Sequence, residues 1–250
     1  MPRAAFSFNG QTAIVTGGTR GIGSAISSAF VRAGGSVVAV YAGDDVAAAA
    51  FKASLGDDGV RVALEKVDVS DDAQVTALFD RLRARGQDIH VLVNSAGIRK
   101  DAVLAMMGVD SWRHVLDVNL TGTFLMCKHA VREMMSRRWG RIVNISSPSG
   151  ELGFAGQANY AASKAGQVAL ARSLSKEVAS RGITVNCVSP GFIDTALIAD
   201  LSPEQVAQYK AMVPMKRFGT PADVAEVVLF LASDSAAYVT GAVYDVTGGL

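Results

Sequence analysis

Cysteine is nearly missing from this 250-residue chain: Cys127 and Cys187 are the only two, 60 positions apart in apolar contexts. Thiols so placed read as reduced core residues and exclude a disulfide-stapled scaffold. Proline is scarce, with six in all, and no tract of it marks a linker. Low-complexity stretches and internal repeats are also absent. No run of about 18 apolar residues occurs, which excludes an ordinary membrane-spanning helix. Charge of one sign is lacking too, since 24 Lys+Arg stand against 23 Asp+Glu for a net charge of +1. No basic excess is left for nucleic acid or an anionic membrane surface. The three histidines, His90, His114 and His129, have no ligand spacing, so no metal is expected. The opening MPRAAFSFNG is too short and polar for a signal peptide, and a cytoplasmic location is expected.

What is present is alternation. Short β-rich runs at 12–16, 36–41, 61–67, 89–93, 141–145, 183–188 and 242–246 are separated by helical stretches near 22–33, 44–55, 71–85, 111–136, 160–180 and 221–232. Strands alternating with helices imply parallel pairing through right-handed crossovers, with helices on both faces. The predicted fold is a single-domain, Rossmann-type doubly wound α/β sheet of about seven parallel strands spanning 1–250. The interval 190–220, with Pro190, Gly191, Pro203 and Pro214, shows no clear strand or helix and reads as a functional lid.

The segment TAIVTGGTRGIGSAISSAF places Gly17, Gly21 and Gly23 between the first strand and its helix. Glycines there let the backbone approach a pyrophosphate, and the helix N-terminus carries partial positive charge. The spacing is G-x-x-x-G-x-G rather than G-x-G-x-x-G, and a tight strand-to-helix turn is the plainer reading. A dinucleotide without a 2′-phosphate usually meets an acidic residue at the end of the second strand. The equivalent position is about Ala42, and Arg20 in the turn could face a phosphate. That pattern favours NADP(H) over NAD(H), although Asp44 and Asp45 follow within a few residues.

Ser147, Tyr160 and Lys164 form a candidate proton-transfer set. Lys164 follows Tyr160 by four residues, one helical turn along the same face. A phenol has a reference pKa near ~10, and a neighbouring ammonium favours its ionised form. The serine hydroxyl can hydrogen-bond the substrate oxygen that the phenol protonates.

TGGTRGIG, DVS, NSAG, VNLTG, the Ser147/Tyr160/Lys164 set and SPGFIDT, in this order across the chain, resemble the short-chain dehydrogenase/reductase family. QANYAASKAG and MKRFGTPADVAEVVLFLASDSAAYVTG are similar to its 3-oxoacyl-(acyl-carrier-protein) reductases. The resemblance implies that Tyr160 is the general acid, that Lys164 lowers its pKa and binds the nicotinamide ribose, and that Ser147 orients the carbonyl. Asn119, in the middle of the long helix, would hold a water linking Lys164 to solvent; a solvated asparagine is the alternative. The implied cofactor set comprises Gly17, Thr19, Arg20, Gly21, Ile22 and Gly23 in the turn, then Ala42, with Asp68 and Val69 at the adenine. Asn94, Ala96 and Gly97 would line the fourth strand end, and Pro190, Gly191, Ile193 and Thr195 would reach the carboxamide and phosphates.

Arg138 and Arg181 match the basic residues that dock an acidic carrier protein in that subgroup; cations at helix C-termini are the alternative. A homotetramer is implied as well. The expected reaction is NADPH-dependent reduction of a 3-oxoacyl thioester, on a carrier protein or coenzyme A. Dehydrogenation of another secondary alcohol and a silent cofactor-binding subunit are the competing readings.

Overall fold

The computed structural model describes residues 6–195 and 202–250. Seven strands form one parallel sheet in the order β3-β2-β1-β4-β5-β6-β7. They are β1 (Thr12–Thr16), β2 (Ser36–Tyr41), β3 (Val62–Lys66), β4 (Val91–Asn94), β5 (Gly140–Ile145), β6 (Ile183–Pro190) and β7 (Val243–Val246). Every residue of β1, β4, β5 and β6 is buried, as expected of parallel strands covered on both faces. The order reverses between β1 and β4, and a crevice opens there at the carboxyl ends of the strands.

The main helices are α1 (Gly21–Arg32), α2 (Asp45–Ser54), α3 (Asp72–Ala84), α4 (Val109–Leu116), α5 (Gly122–Arg137), α6 (Ser149–Leu152), α7 (Ala158–Val178), α8 (Pro203–Met212) and α9 (Pro221–Ala232). Local chemistry sets their starts. The Asp71 carboxylate accepts from the amides of Ala73 and Gln74 ahead of α3, and Thr220 and Asp223 cap α9 reciprocally, satisfying donors that no helical carbonyl reaches. On one face, α1 and α9 pack an apolar layer through Ile26, Phe30, Val224 and Val228. On the other, α3, α5 and α7 cover the sheet through Leu78, Phe79, Met126 and Ala171.

Two expectations change. The helix predicted at 111–136 is two helices, α4 and α5, joined by a π-turn over Asp117–Thr121. The lid interval 190–220 contains α8, started by a Ser202/Gln205 capping box; residues 196–201 lie outside the described residues. The short α6 was also not foreseen. No described helix is long and apolar enough to cross a membrane.

Candidate active site

The glycine turn leaves β1 and enters α1. Gly21 has φ +52°, and a Cβ on Gly23 would stand 2.1 Å from the Gly17 carbonyl oxygen, so the turn cannot close around a side chain at that position. Arg20, the residue before α1, is extended and gives no side-chain cap, and the first turn of α1 carries no acid. The positive end of the helix is therefore open to an anion. Two other segments meet the turn. A Cβ on Gly17 would lie 3.1 Å from the Ala96 Cα, and one on Gly21 would lie 3.7 Å from Thr195. This cradle of backbone and open amides fits a dinucleotide pyrophosphate. Ile193, which pairs with Gly219, brings its segment alongside from the end of β6.

Beyond β2, Ala42 is exposed. Arg20 is also exposed and lies 4.0 Å from Asp44, whose carboxylate caps α2 through the Ala47 amide. Asp45 is held by Lys66 at 2.8 Å and by the Tyr41 hydroxyl at 3.0 Å. Asp68 accepts from the amide and hydroxyl of Ser70, and Val69 packs where a Cβ on Gly122 would stand 2.7 Å from its Cγ2. Asn94 closes β4. Its side chain donates to Asn144 Oδ1 at 2.9 Å and to Cys127 at 3.4 Å. It braces β4 against β5 at their carboxyl ends.

Ser147 lies just past β5, while Tyr160 and Lys164 project from α7. Lys164 is buried and donates to the Ile145 carbonyl at 2.7 Å and to Gln167 Oε1 at 3.2 Å. Its ammonium stands 5.5 Å from the Tyr160 ring centroid, and burial lowers its pKa to about 8. The Tyr160 pKa moves upward, not downward as expected. Burial dominates, the Ser147 hydrogen bond and the Arg99 charge pull it back, and Asp101 adds to the rise. The lysine gives the phenol no hydrogen bond, because its donors go to Ile145 and Gln167. A phenol kept protonated at neutral pH is a competent acid for reduction.

Asn119 occupies the π-turn, a distortion that recurs at functional sites. Its Oδ1 accepts from the Ile98 amide at 2.8 Å, and its Nδ2 donates to the Ile98 carbonyl and to Ser163 Oγ, both at 3.0 Å. Its carbonyl accepts from Thr123 Oγ1 and Gln167 Nε2, both at 2.7 Å. Two side chains therefore share that carbonyl.

Other residues join the site without having been singled out. Ser147 donates to Ser149 at 3.2 Å, Ser149 to Gln157 at 3.2 Å, and Gln157 to Asp101 at 3.3 Å; Arg99 lies 3.2 Å from that same carboxylate. Gln157 precedes Tyr160 by three residues, a spacing that could have flagged it. Phe192 stacks on Tyr209 of α8 at 4.7 Å, with Phe154 at 6.5 Å and Phe218 at 6.0 Å, so an aromatic wall joins α8 to the loop before α7. Both cysteines are buried with thiols pushed up to about 12, which leaves them inert. Among the described residues, no group of three or more His, Cys, Asp or Glu could hold a metal.

Arg138 and Arg181 come together, with Arg138 Nη2 donating to the Ser180 carbonyl at 2.9 Å. They sit just before β5 and β6, at the amino end of the sheet. Ser147 is at the other end. Neither arginine adjoins this chain's own crevice.

A glycine cradle at the switch point of a doubly wound sheet, with a serine, tyrosine and lysine beside it, defines a dinucleotide-dependent oxidoreductase. The profile of the family described as Enoyl-(Acyl carrier protein) reductase matches residues 17–250. The chain is 42% identical over 241 residues to the 3-oxoacyl-(acyl-carrier-protein) reductase FabG of Aquifex aeolicus, covering 96% of this chain and 97% of that one. It is 42% identical over 244 residues to the FabG of Escherichia coli, covering 98% of each. An acetoacetyl-CoA reductase of Shinella zoogloeoides is 44% identical over 241 residues, covering 96% of this chain and 98% of that one. A provisionally assigned gluconate dehydrogenase from Agrobacterium tumefaciens superposes with a TM-score of 0.92 at 33% identity, covering 98% of this chain and 97% of that structure. The chain belongs to the short-chain dehydrogenase/reductase family and is an oxidoreductase acting on CH–OH groups with a nicotinamide cofactor.

Proposed function

We propose that this chain reduces 3-oxoacyl thioesters to 3-hydroxyacyl thioesters with NADPH in the cytoplasm. The observation that carries the reading is geometric: the buried Lys164 ammonium stands 5.5 Å from the Tyr160 ring, one turn along α7, with Ser147 beside the phenol. The glycine turn would hold the pyrophosphate of the dinucleotide, whose reduced nicotinamide would supply the hydride. Ser147 donates a hydrogen bond to the ketone oxygen, and Tyr160 gives that oxygen its proton as the charge on it develops. The positive charge of Lys164 favours the phenolate left behind.

Cofactor choice follows from the β2 end. Arg20 is exposed and Ala42 small, while Asp44 caps a helix and Asp45 is tied to Lys66, which supports room for a 2′-phosphate. Arg20→Ser is expected to raise the KM for NADPH about tenfold and to leave that for NADH within twofold, a charge-assisted hydrogen bond lost. The aromatic wall of Phe154, Phe192 and Tyr209, with exposed Met212 and Met215 beside it in sequence, supports an apolar acyl chain as the variable part of the substrate.

Acyl-carrier-protein docking through Arg138 and Arg181 belongs to the proposal in one form only. The two arginines serve the crevice of a neighbouring subunit, in a homotetramer that sets the amino edge of one sheet beside the site of another. Initial rates with acetoacetyl-carrier protein, acetoacetyl-CoA and a panel of free ketones, each with NADPH and NADH, test the whole reading. Preference for NADPH and a thioester is expected. Faster turnover of free ketones, or equal rates with NADH, would overturn it.

A further inference from the structure

Gln167 is fully buried on α7, on the helix face that carries Tyr160 and Lys164. Three hydrogen bonds fill its amide. Oε1 accepts from Lys164 Nζ at 3.2 Å, and Nε2 donates to the Asn119 carbonyl and to Thr123 Oγ1, both at 2.7 Å. Thr123 Oγ1 in turn donates to that same carbonyl at 2.7 Å. The polarity of the amide is thereby fixed. Turned over, it would set an NH2 against an ammonium and an oxygen against a carbonyl, leaving buried groups unpaired at a cost of about 1–3 kcal/mol each.

We infer that Gln167 is a positioning residue for Lys164: its amide oxygen anchors the ammonium, and its NH2 group locks onto the Asn119 carbonyl. This rests on the reading of Lys164 as the partner of Tyr160. The side chain links Lys164 to Asn119 through one amide.

The groups around the ammonium are few. Cys187 of β6 is a neutral thiol, Tyr160 lies one turn back on α7, the Ile145 carbonyl closes β5, and Gly97 approaches from the segment after β4, where its Cβ would stand 3.6 Å from Nζ. The π-turn contributes only the uncharged Asn119. Among the described residues, Gln167 Oε1 is the one side-chain oxygen that takes a hydrogen bond from Lys164.

Lysine Nζ resonances of the ¹⁵N-labelled full chain, with Lys164 assigned by its loss in Lys164→Met, test this directly. In the wild type the Lys164 Nζ protons are expected to exchange slowly enough to be seen at pH 7; rapid exchange with water would contradict the anchor. Gln167→Met removes the acceptor at nearly constant shape. It should lower the Lys164 titration midpoint by about one pH unit, since the charged form loses a hydrogen bond. The alkaline limb of kcat for acetoacetyl-CoA reduction should move down with it, with KM within threefold of wild type. Thr123→Val disturbs the same polar cluster but spares Oε1, so it should leave the midpoint in place. An unmoved midpoint in Gln167→Met, or an equal shift in Thr123→Val, would overturn the inference. A shifted midpoint in a chain that ignores every thioester would keep Gln167 in its role and sink the substrate reading alone.

Discussion

The two faces of the sheet are built from different materials. Under α1 and α9 the buried side chains are mostly apolar, Ile26, Phe30, Val31, Val224, Val228 and Leu231 among them, with Ser27 donating to the Gly18 carbonyl. Under α5 and α7 the buried set includes Asn119, Thr123, Asn159, Ser163, Lys164 and Gln167. The first face gains stability from area removed from water, about 25 cal/mol per Å². The second gives up part of that gain to hold polar groups, each of which must be hydrogen-bonded to be tolerated. Apolar burial holds both faces, and the buried polar network around Tyr160 and Lys164 is concentrated on one.

Perturbing each face should separate the two. Phe30→Ala, which removes a ring stacked 4.2 Å from Phe8, is expected to cost about 3–5 kcal/mol by denaturant unfolding. Turnover per folded molecule should stay within twofold. A loss of kcat with stability unchanged would break the division.

Lys164→Met probes the opposite face through pH. The folded-state pKa of Lys164 is about 8, below the unfolded value near ~10.4. Between these values the unfolded chain binds more protons, so wild-type stability from this group rises with pH. The burial penalty is complete below pH 8 and gone above about 10.4, a swing on the order of 3 kcal/mol. The stability of wild type relative to Lys164→Met should therefore climb across that window. A flat difference would mean that Lys164 is not desolvated. The smallest expected effect is on the apolar face again, where Thr220→Ala removes the cap of α9 and should cost about 1 kcal/mol in unfolding free energy with kcat unchanged.

The strands were legible because parallel, doubly buried strands are short β-branched runs bounded by turns, and TAIVT or SVVAVY needs no tertiary information to read. The glycine turn was legible for a similar reason, since its geometry is local. The π-turn at Asp117–Thr121 was not, because one extra residue in a helix leaves the apolar spacing on either side nearly intact. The hydrogen bond from Asn94 to Asn144 was not legible either, because β4–β5 pairing sets it. The upward shift of Tyr160 depends on burial by elements far away in sequence. The position of Arg138 and Arg181 could have been read: a residue just before a strand of a parallel sheet must lie at the amino edge, across the sheet from any site at the carboxyl ends. Gln167 carried a signal as well, a polar residue seven after Tyr160 on the face that α7 buries.

The most direct test of the central claim is the initial rate of NADPH oxidation with acetoacetyl-CoA, measured for wild type and for Tyr160→Phe at the same folded concentration. Proton delivery by Tyr160 predicts a fall in kcat of about a thousandfold, with NADPH still bound and unfolding free energy within 1 kcal/mol of wild type. A Tyr160→Phe chain that keeps a tenth or more of the wild-type rate would contradict it.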